Sequence, residues 1–202
     1  MISKELDLTT EEKIKKAADK LFSEKGFEGT KTREIAQEAG INSALLNYYF
    51  RSKEKLFQTI MIEKIQNFFG SMFPLIDNPE IELYEKIEFL TNSYISLLIE
   101  NPNLSIFIIN EIDNKSGFLP VVSKMIPDIK KVAIYQQIKA ENPKANPIQI
   151  FMNVVSLVIF PFIMMRLVRS ITFLSEKEME ILLKERRKMI PVWIREMIEN
   201  AR

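Results

Sequence analysis

Residues 26–57 read GFEGTKTREIAQEAGINSALLNYYFRSKEKLF, and no other stretch of the chain restricts its fold so much. Two short helical patterns lie on either side of a glycine-centred turn. The first places Ile35, Ala36 and Ala39 at helical spacing, the turn is Gly40-Ile41-Asn42, and the second runs from Ser43 to Tyr49. Gly40 suits a helix end, where the chain readily takes a positive φ. Asn42 suits a helix start, because its side chain accepts a hydrogen bond from the free N–H groups of the first turn. Two short helices crossing steeply through such a turn make a helix-turn-helix, and its second helix is of a size to enter a DNA major groove.

The rest of the chain also reads as helix. Among 202 residues only five are Gly, and no hairpin signal separates alternating strands. Thr9 and Glu12 form a capping box opening a helix whose apolar face is Ile14, Ala17, Ala18, Leu21 and Phe22, and Gly26 ends it. Leu45, Leu46 and Phe50 belong to the core of this region. Ser52 caps a fourth helix that carries Leu56, Ile60, Ile65, Phe68 and Phe69 and runs on into the second half. Beyond the breaks at Pro74 and Pro79, helices are expected at about 80–100, 103–115, 119–141, 147–171 and 175–200, with Pro161 and Pro191 kinking or interrupting the last two. The fold class is all-α, with about nine helices.

The absence of Cys and His removes zinc fingers, iron–sulfur clusters, disulfides, thiol nucleophiles and histidine-based acid–base chemistry. No catalytic constellation of fixed spacing appears, so neither an enzyme nor a cofactor or metal site is expected. The first residues, MISKELDLTTEEK, lack an apolar signal core, which points to the cytoplasm. Net charge is +1, so any basic footprint is local: Lys31, Arg33, Arg51, Lys53 and Lys55 near the turn. Ile148–Val168 is the most apolar segment, but Gln149, Asn153, Ser156, Pro161 and Arg166 interrupt it. It reads as a buried helix, not a membrane span.

The stretch Ile14–Phe57 resembles the DNA-binding domain of the TetR (tetracycline repressor) family. The matching elements are Ala17-x-x-x-Leu21-Phe22, Gly26-Phe27, Thr30, Glu34-Ile35-Ala36, Ala39-Gly40-Ile41 and Tyr49-Phe50-x-Ser52-Lys53-Glu54-x-Leu56. Two positions depart from the common pattern. Asn47 stands where many members have Tyr, and Lys31 stands where many have a capping Ser or Thr, leaving Thr30 or Thr32 to cap the second helix or the cap lost. The resemblance implies an N-terminal three-helix helix-turn-helix domain, 1–56, and a C-terminal helical domain for effector binding and dimerisation, 57–202.

DNA binding needs phosphate contacts that fix register and a few side chains that read base edges. Thr30, Thr32 and Asn42 stand at helix N-termini, whose donors suit phosphate. Lys53 offers a charge and another helix start, and the resemblance brings Tyr48, Tyr49 or both to phosphate, with packing the alternative for Tyr49. Arg33 is the best candidate to read a base, since Arg pairs with guanine in bidentate fashion; Ser43, Ala44 and Asn47 are the others. In the second half, Phe68, Phe69, Met72, Phe89, Phe107, Asn110, Phe118, Tyr135, Met152 and Asn153 are candidates to line an effector pocket. Leu157, Met164, Leu182, Met189 and Trp193 are candidates for a homodimer interface built by the last two helices. The expectation is a ligand-responsive transcriptional regulator, a repressor, binding palindromic double-stranded operator DNA as a homodimer and answering an apolar or aromatic small molecule. The alternative is an all-helical protein-interaction module that no longer binds DNA specifically.

Overall fold

The computed structural model describes residues 9–113, 118–125 and 128–202, without the side chains of 112, 113, 118, 119, 122, 165, 166 and 169. Among the described residues all regular structure is helical: α1 (Thr10–Gly29), α2 (Thr32–Glu38), α3 (Ser43–Phe50), α4 (Lys53–Ile76), α5 (Leu83–Glu100), α6 (Leu104–Asp113), α7 (Phe118–Met125), α8 (Ala133–Glu141), α9 (Pro147–Thr172) and α10 (Glu176–Glu199). The chain divides into two compact units, and the boundary between Ile65 and Gln66 falls inside α4.

In the first unit, the Thr9–Glu12 capping box opens α1 as expected. Ile14, Ala17, Ala18, Leu21 and Phe22 are buried with Ile35, Ala36, Leu46, Leu56 and Ile60, while Leu45 is half-buried. The helical path of α1 breaks at Gly26 (φ 72, ψ 171), and a last turn continues to Gly29. Two ion pairs hold α1 to α4, Lys15–Glu63 at 2.6 Å and Lys64–Asp19 at 2.8 Å.

In the second unit, α5 packs along α10 and α9, and α8 closes against α5. The single helix expected over 119–141 is instead α7, a short 3-10 turn (Ile129–Lys131) and α8. The 3-10 turn opens at Asp128, whose carboxylate accepts from Lys130 N at 3.2 Å. Asp77 then accepts from Ala133 N at 3.0 Å and so caps α8. Lys86 is fully buried and donates to Gln137 Oε1 at 2.7 Å; burial pushes its ammonium below the usual lysine range.

Neither Pro161 nor Pro191 interrupts its helix. Pro161 removes the N–H that Leu157 O would accept. The Arg186 guanidinium of α10 replaces it, donating Nη2 to Leu157 O at 2.6 Å. A carbonyl orphaned by proline is thus satisfied from the neighbouring helix, which is why α9 runs through.

Candidate nucleic-acid interface and cavity

The turn of the helix-turn-helix is fixed by backbone bonds. Gly40 takes φ 69, its N–H reaches Gln37 O at 3.1 Å, and Ile41 N reaches Ala36 O at 2.9 Å. These two bonds make the Schellman closure that satisfies the last carbonyls of α2. Asn42 Oδ1 then accepts from Leu45 N at 2.8 Å and starts α3. With Leu46 and Phe50 buried, α3 turns Ser43, Ala44, Asn47 and Tyr48 outward, Tyr48 being 69% exposed and Tyr49 41%. The two tyrosine rings meet edge to face at 5.5 Å. Arg33 is exposed and Thr32 half-buried in the first turn of α2.

At the start of α2 the cap is half lost. Lys31 holds the N-cap place but has no acceptor in its side chain. The other half of a capping box survives: the Glu34 carboxylate accepts from Lys31 N at 3.0 Å. Lys25 donates to the same carboxylate at 2.8 Å, and these two bonds, Lys25 first, hold Glu34 below the usual carboxylate range.

Two expected phosphate contacts turn inward. Thr30 is buried, and its hydroxyl donates to Gly26 O at 2.8 Å and Leu21 O at 3.1 Å. Lys53 Nζ donates to Phe27 O at 2.9 Å and Thr30 O at 3.1 Å, and sits 4.2 Å above the Phe27 ring. Both side chains thus bond backbone carbonyls around the end of α1. They are withdrawn from the outward surface, and the tertiary contacts responsible leave no spacing signal in the sequence.

The second unit holds a largely enclosed cavity of about 80 Å³. Phe68, Phe69 and Met72 of α4 line it with Ile87, Tyr135 and Ile150, so four of the expected pocket residues lie on its wall. The others do not. Phe107 is packed in the core, while Phe89 and Met152 are exposed at 44% and 55%. Asn110 is exposed, and Asn153 engages Gln149 Nε2 and Met197 S. The Phe118 side chain lies outside the described residues. On α9 the cavity takes Ile150, Phe151 and Val154, and Met152 and Asn153 fall on other faces by the 3.6-residue period. Beside the cavity is an open groove of about 460 Å³ lined by Gln66, Phe69, Gly70, Phe73, Pro74 and Met125.

Along α9, the window Pro147–Met164 has mean hydropathy 2.0, long and apolar enough by length and composition to cross a bilayer, and 33% of it is buried within the chain. Phe160, Leu167 and Ile171 of α9 and Ile181, Met189 and Val192 of α10 remain exposed. Leu157, Met164, Leu182 and Trp193 are half-buried. Arg186 lies 5.7 Å from the Trp193 ring.

A family model described as "Bacterial regulatory proteins, tetR family" matches residues 14–60, across α1 to the first turns of α4. The Bacillus subtilis (strain 168) protein YttP, described as a probable HTH-type transcriptional regulator, is 25% identical over 204 residues, 97% of each chain. The HTH-type transcriptional repressor NicS of Pseudomonas putida is 35% identical over 89 residues, 43% of this chain and 42% of that one. In structure, the transcriptional regulator FadR of Bacillus subtilis, solved in complex with stearoyl-CoA, superimposes with a TM-score of 0.56 at 16% identity, covering 88% of this chain and 96% of that one. The helix-turn-helix geometry, the family match lying across it and the full-length similarity to YttP agree: residues 14–60 are a DNA-binding domain of the tetR-family type, and the chain is a DNA-binding transcriptional regulator.

Proposed function

We propose that this regulator is a repressor that binds a palindromic operator as a homodimer and releases it when a small apolar molecule occupies the second unit. The DNA-binding function is assigned to residues 1–56, and effector binding and dimerisation to 57–202. It acts in the cytoplasm. The observation that carries the reading is the outward face of α3, Ser43, Ala44, Asn47 and Tyr48, together with the exposure of Arg33 on α2. A short recognition helix reads little sequence alone, so two copies on related half-sites are needed. The apolar faces left on α9 and α10 support a four-helix interface between copies. NicS, whose similarity to this chain is partial, is a repressor.

The cavity supports the effector class. Its lining carries one polar tip, the Tyr135 hydroxyl, and no charge. Cavities of this kind stay dry and accept apolar guests. FadR, similar in fold, has been solved with a long acyl thioester. The test is footprinting of the DNA upstream of the chain's own gene, with stoichiometry by sedimentation. Two protected half-sites about 34–36 Å apart, or a near multiple, are expected; a monomer on one asymmetric half-site refutes the proposal.

A further inference from the structure

Contacts to phosphate fix a protein's register on DNA, yet Thr30 and Lys53 use their donors on backbone carbonyls. A net charge of +1 gives the chain as a whole little attraction for nucleic acid. The cations that hold DNA must therefore be concentrated on the unit that carries α3. Helix α1 sorts its charges by face. Toward α4, Lys15 pairs with Glu63 at 2.6 Å and Glu11 at 3.8 Å, and Asp19 pairs with Lys64 at 2.8 Å. Those charges cancel within the unit. Toward α2, Lys13, Lys16 and Lys20 stand at i, i+3 and i+7, on one face of the helix. All three are exposed, and with Ala17 they line a groove of about 370 Å³ whose other wall is Glu38 and Ala39, the end of α2. Three ammoniums thus face one carboxylate across the groove. Glu38 takes Lys20 at 2.6 Å, and Glu24 stands within electrostatic reach of the same ammonium.

Position decides what this face can meet. The turn Gly40-Ile41 joins Ala39, the last residue of the groove wall, to Asn42, the cap of α3. Three Cα steps put the wall at most about 11 Å from the start of the recognition helix. The major groove of B-DNA is about 12 Å wide. With α3 in that groove, a surface this close to it meets the phosphate strand at the border. The lysine stripe is about 10 Å long, and phosphates of one strand follow at about 3.4 Å along the axis, so it matches two or three of them. Lysine suits the task, a point charge on a flexible stem that needs no fixed angle. We propose that Lys13, Lys16 and Lys20 form a second, sequence-blind phosphate-binding surface that grips the DNA strand beside the half-site read by α3, and that Lys20 exchanges Glu38 for phosphate on binding. This rests on the DNA-binding assignment and adds a surface to it; base reading stays with α2 and α3.

The experiment measures the affinity of the full chain as a function of salt, by fluorescence anisotropy, on two duplexes: its own upstream DNA and a scrambled counterpart. Replacing Lys13, Lys16 and Lys20 together by Gln is expected to lower the slope of log K against log salt by about 2–3 and to weaken both duplexes by the same factor, so that the preference between them stays unchanged. The control variant Lys124→Gln, Lys130→Gln and Lys144→Gln removes the same charge from exposed positions of the second unit, and its slope is expected to stay within about half a unit of wild type. A slope untouched by the α1 variant overturns the proposal and leaves the stripe to an acidic protein surface. A slope lowered as much by the control overturns it in favour of bulk charge, and a changed preference between duplexes overturns it in favour of contact with bases. Should the α1 variant lose its helical circular dichroism, Glu38→Gln decides. Freeing Lys20 is expected to tighten both duplexes by about two- to fivefold, the worth of one surface ion pair; no tightening overturns the proposal. If wild type binds neither duplex at about 0.05 M salt, DNA binding itself fails and the stripe with it.

Discussion

Arg186 and Pro161 are coupled, and the coupling can be measured. Pro161 leaves Leu157 O without its helical donor, and Arg186 Nη2 supplies one at 2.6 Å. Arg186→Met removes that donor while keeping an apolar stem against α9. A carbonyl stripped of its partner inside a packed interface costs about 1–3 kcal/mol. An opposing effect reduces the net cost. The Arg186 Nε is buried without a hydrogen-bond partner among the described residues, and burial pushes the guanidinium below its ordinary range, so removing the charge recovers part of its desolvation. The single variant is therefore expected to lose about 1 kcal/mol. In a Pro161→Ala background, residue 161 donates its own N–H to Leu157 O, and Arg186→Met then costs little or is favourable. The contact between Arg186 and Trp193 is lost in both backgrounds and cancels. The expected coupling is about 1 kcal/mol by urea unfolding at fixed protomer concentration, since the stability of a dimer depends on concentration. Additivity within about 0.3 kcal/mol would refute the idea that Arg186 replaces the missing donor.

Lys53→Met should destabilise the first unit by about 1–3 kcal/mol through loss of the bonds to Phe27 O and Thr30 O, read by thermal melting, while the salt slope of DNA binding stays unchanged; a slope lower by about one unit would instead make Lys53 a phosphate contact. Met189→Glu, at an exposed apolar position of α10, should shift the dimer–monomer equilibrium by about two orders of magnitude in sedimentation, because it buries an unpaired carboxylate between copies. The capping glutamates Glu12, Glu34 and Glu178 lie below the usual carboxylate range, Glu12 through the Thr9 N–H, Glu34 through Lys25 and Glu178 through the Ser175 hydroxyl. Their stabilising effect is present above the ordinary value of 4.5 and is lost as pH falls through the depressed values. Amide protection factors at the first turns of α1, α2 and α10, taken against the intrinsic exchange rate at each pH, should therefore fall on going from neutral pH into that acid range, and Glu→Gln variants should show the fall already at neutral pH.

Local chemistry was legible in the sequence. Gly40 and Asn42 specify a turn through the φ of one residue and the side-chain oxygen of the other, and both do what their chemistry asks. The limits of α9 and α10 lie within a residue or so of the expected 147–171 and 175–200, and the structure adds the Ser175 cap that opens α10. What failed was long-range. Lys53 reads as a free cation at a helix start, yet its partners are the carbonyls of Phe27 and Thr30, 26 and 23 residues earlier. Thr30 is drawn inward by the carbonyls of Gly26 and Leu21. The bond from Arg186 to Leu157 spans 29 residues. The pocket was half legible for a different reason: α9 is apolar nearly all round, so periodicity cannot say which face meets the cavity, and Met152 and Asn153 proved to be on other faces.

Direct binding to the chain's own upstream DNA tests the regulator most plainly. Fluorescence anisotropy at about 0.15 M salt, against a scrambled fragment of equal length, should give a preference of at least about a thousandfold. Arg33→Ala should reduce it by about 1–3 kcal/mol and relax the choice at one base position, with the helical circular dichroism unchanged. Equal affinity for upstream and scrambled DNA across the intergenic region, together with indifference to Arg33, would contradict sequence-specific recognition by the outward face of α2 and α3.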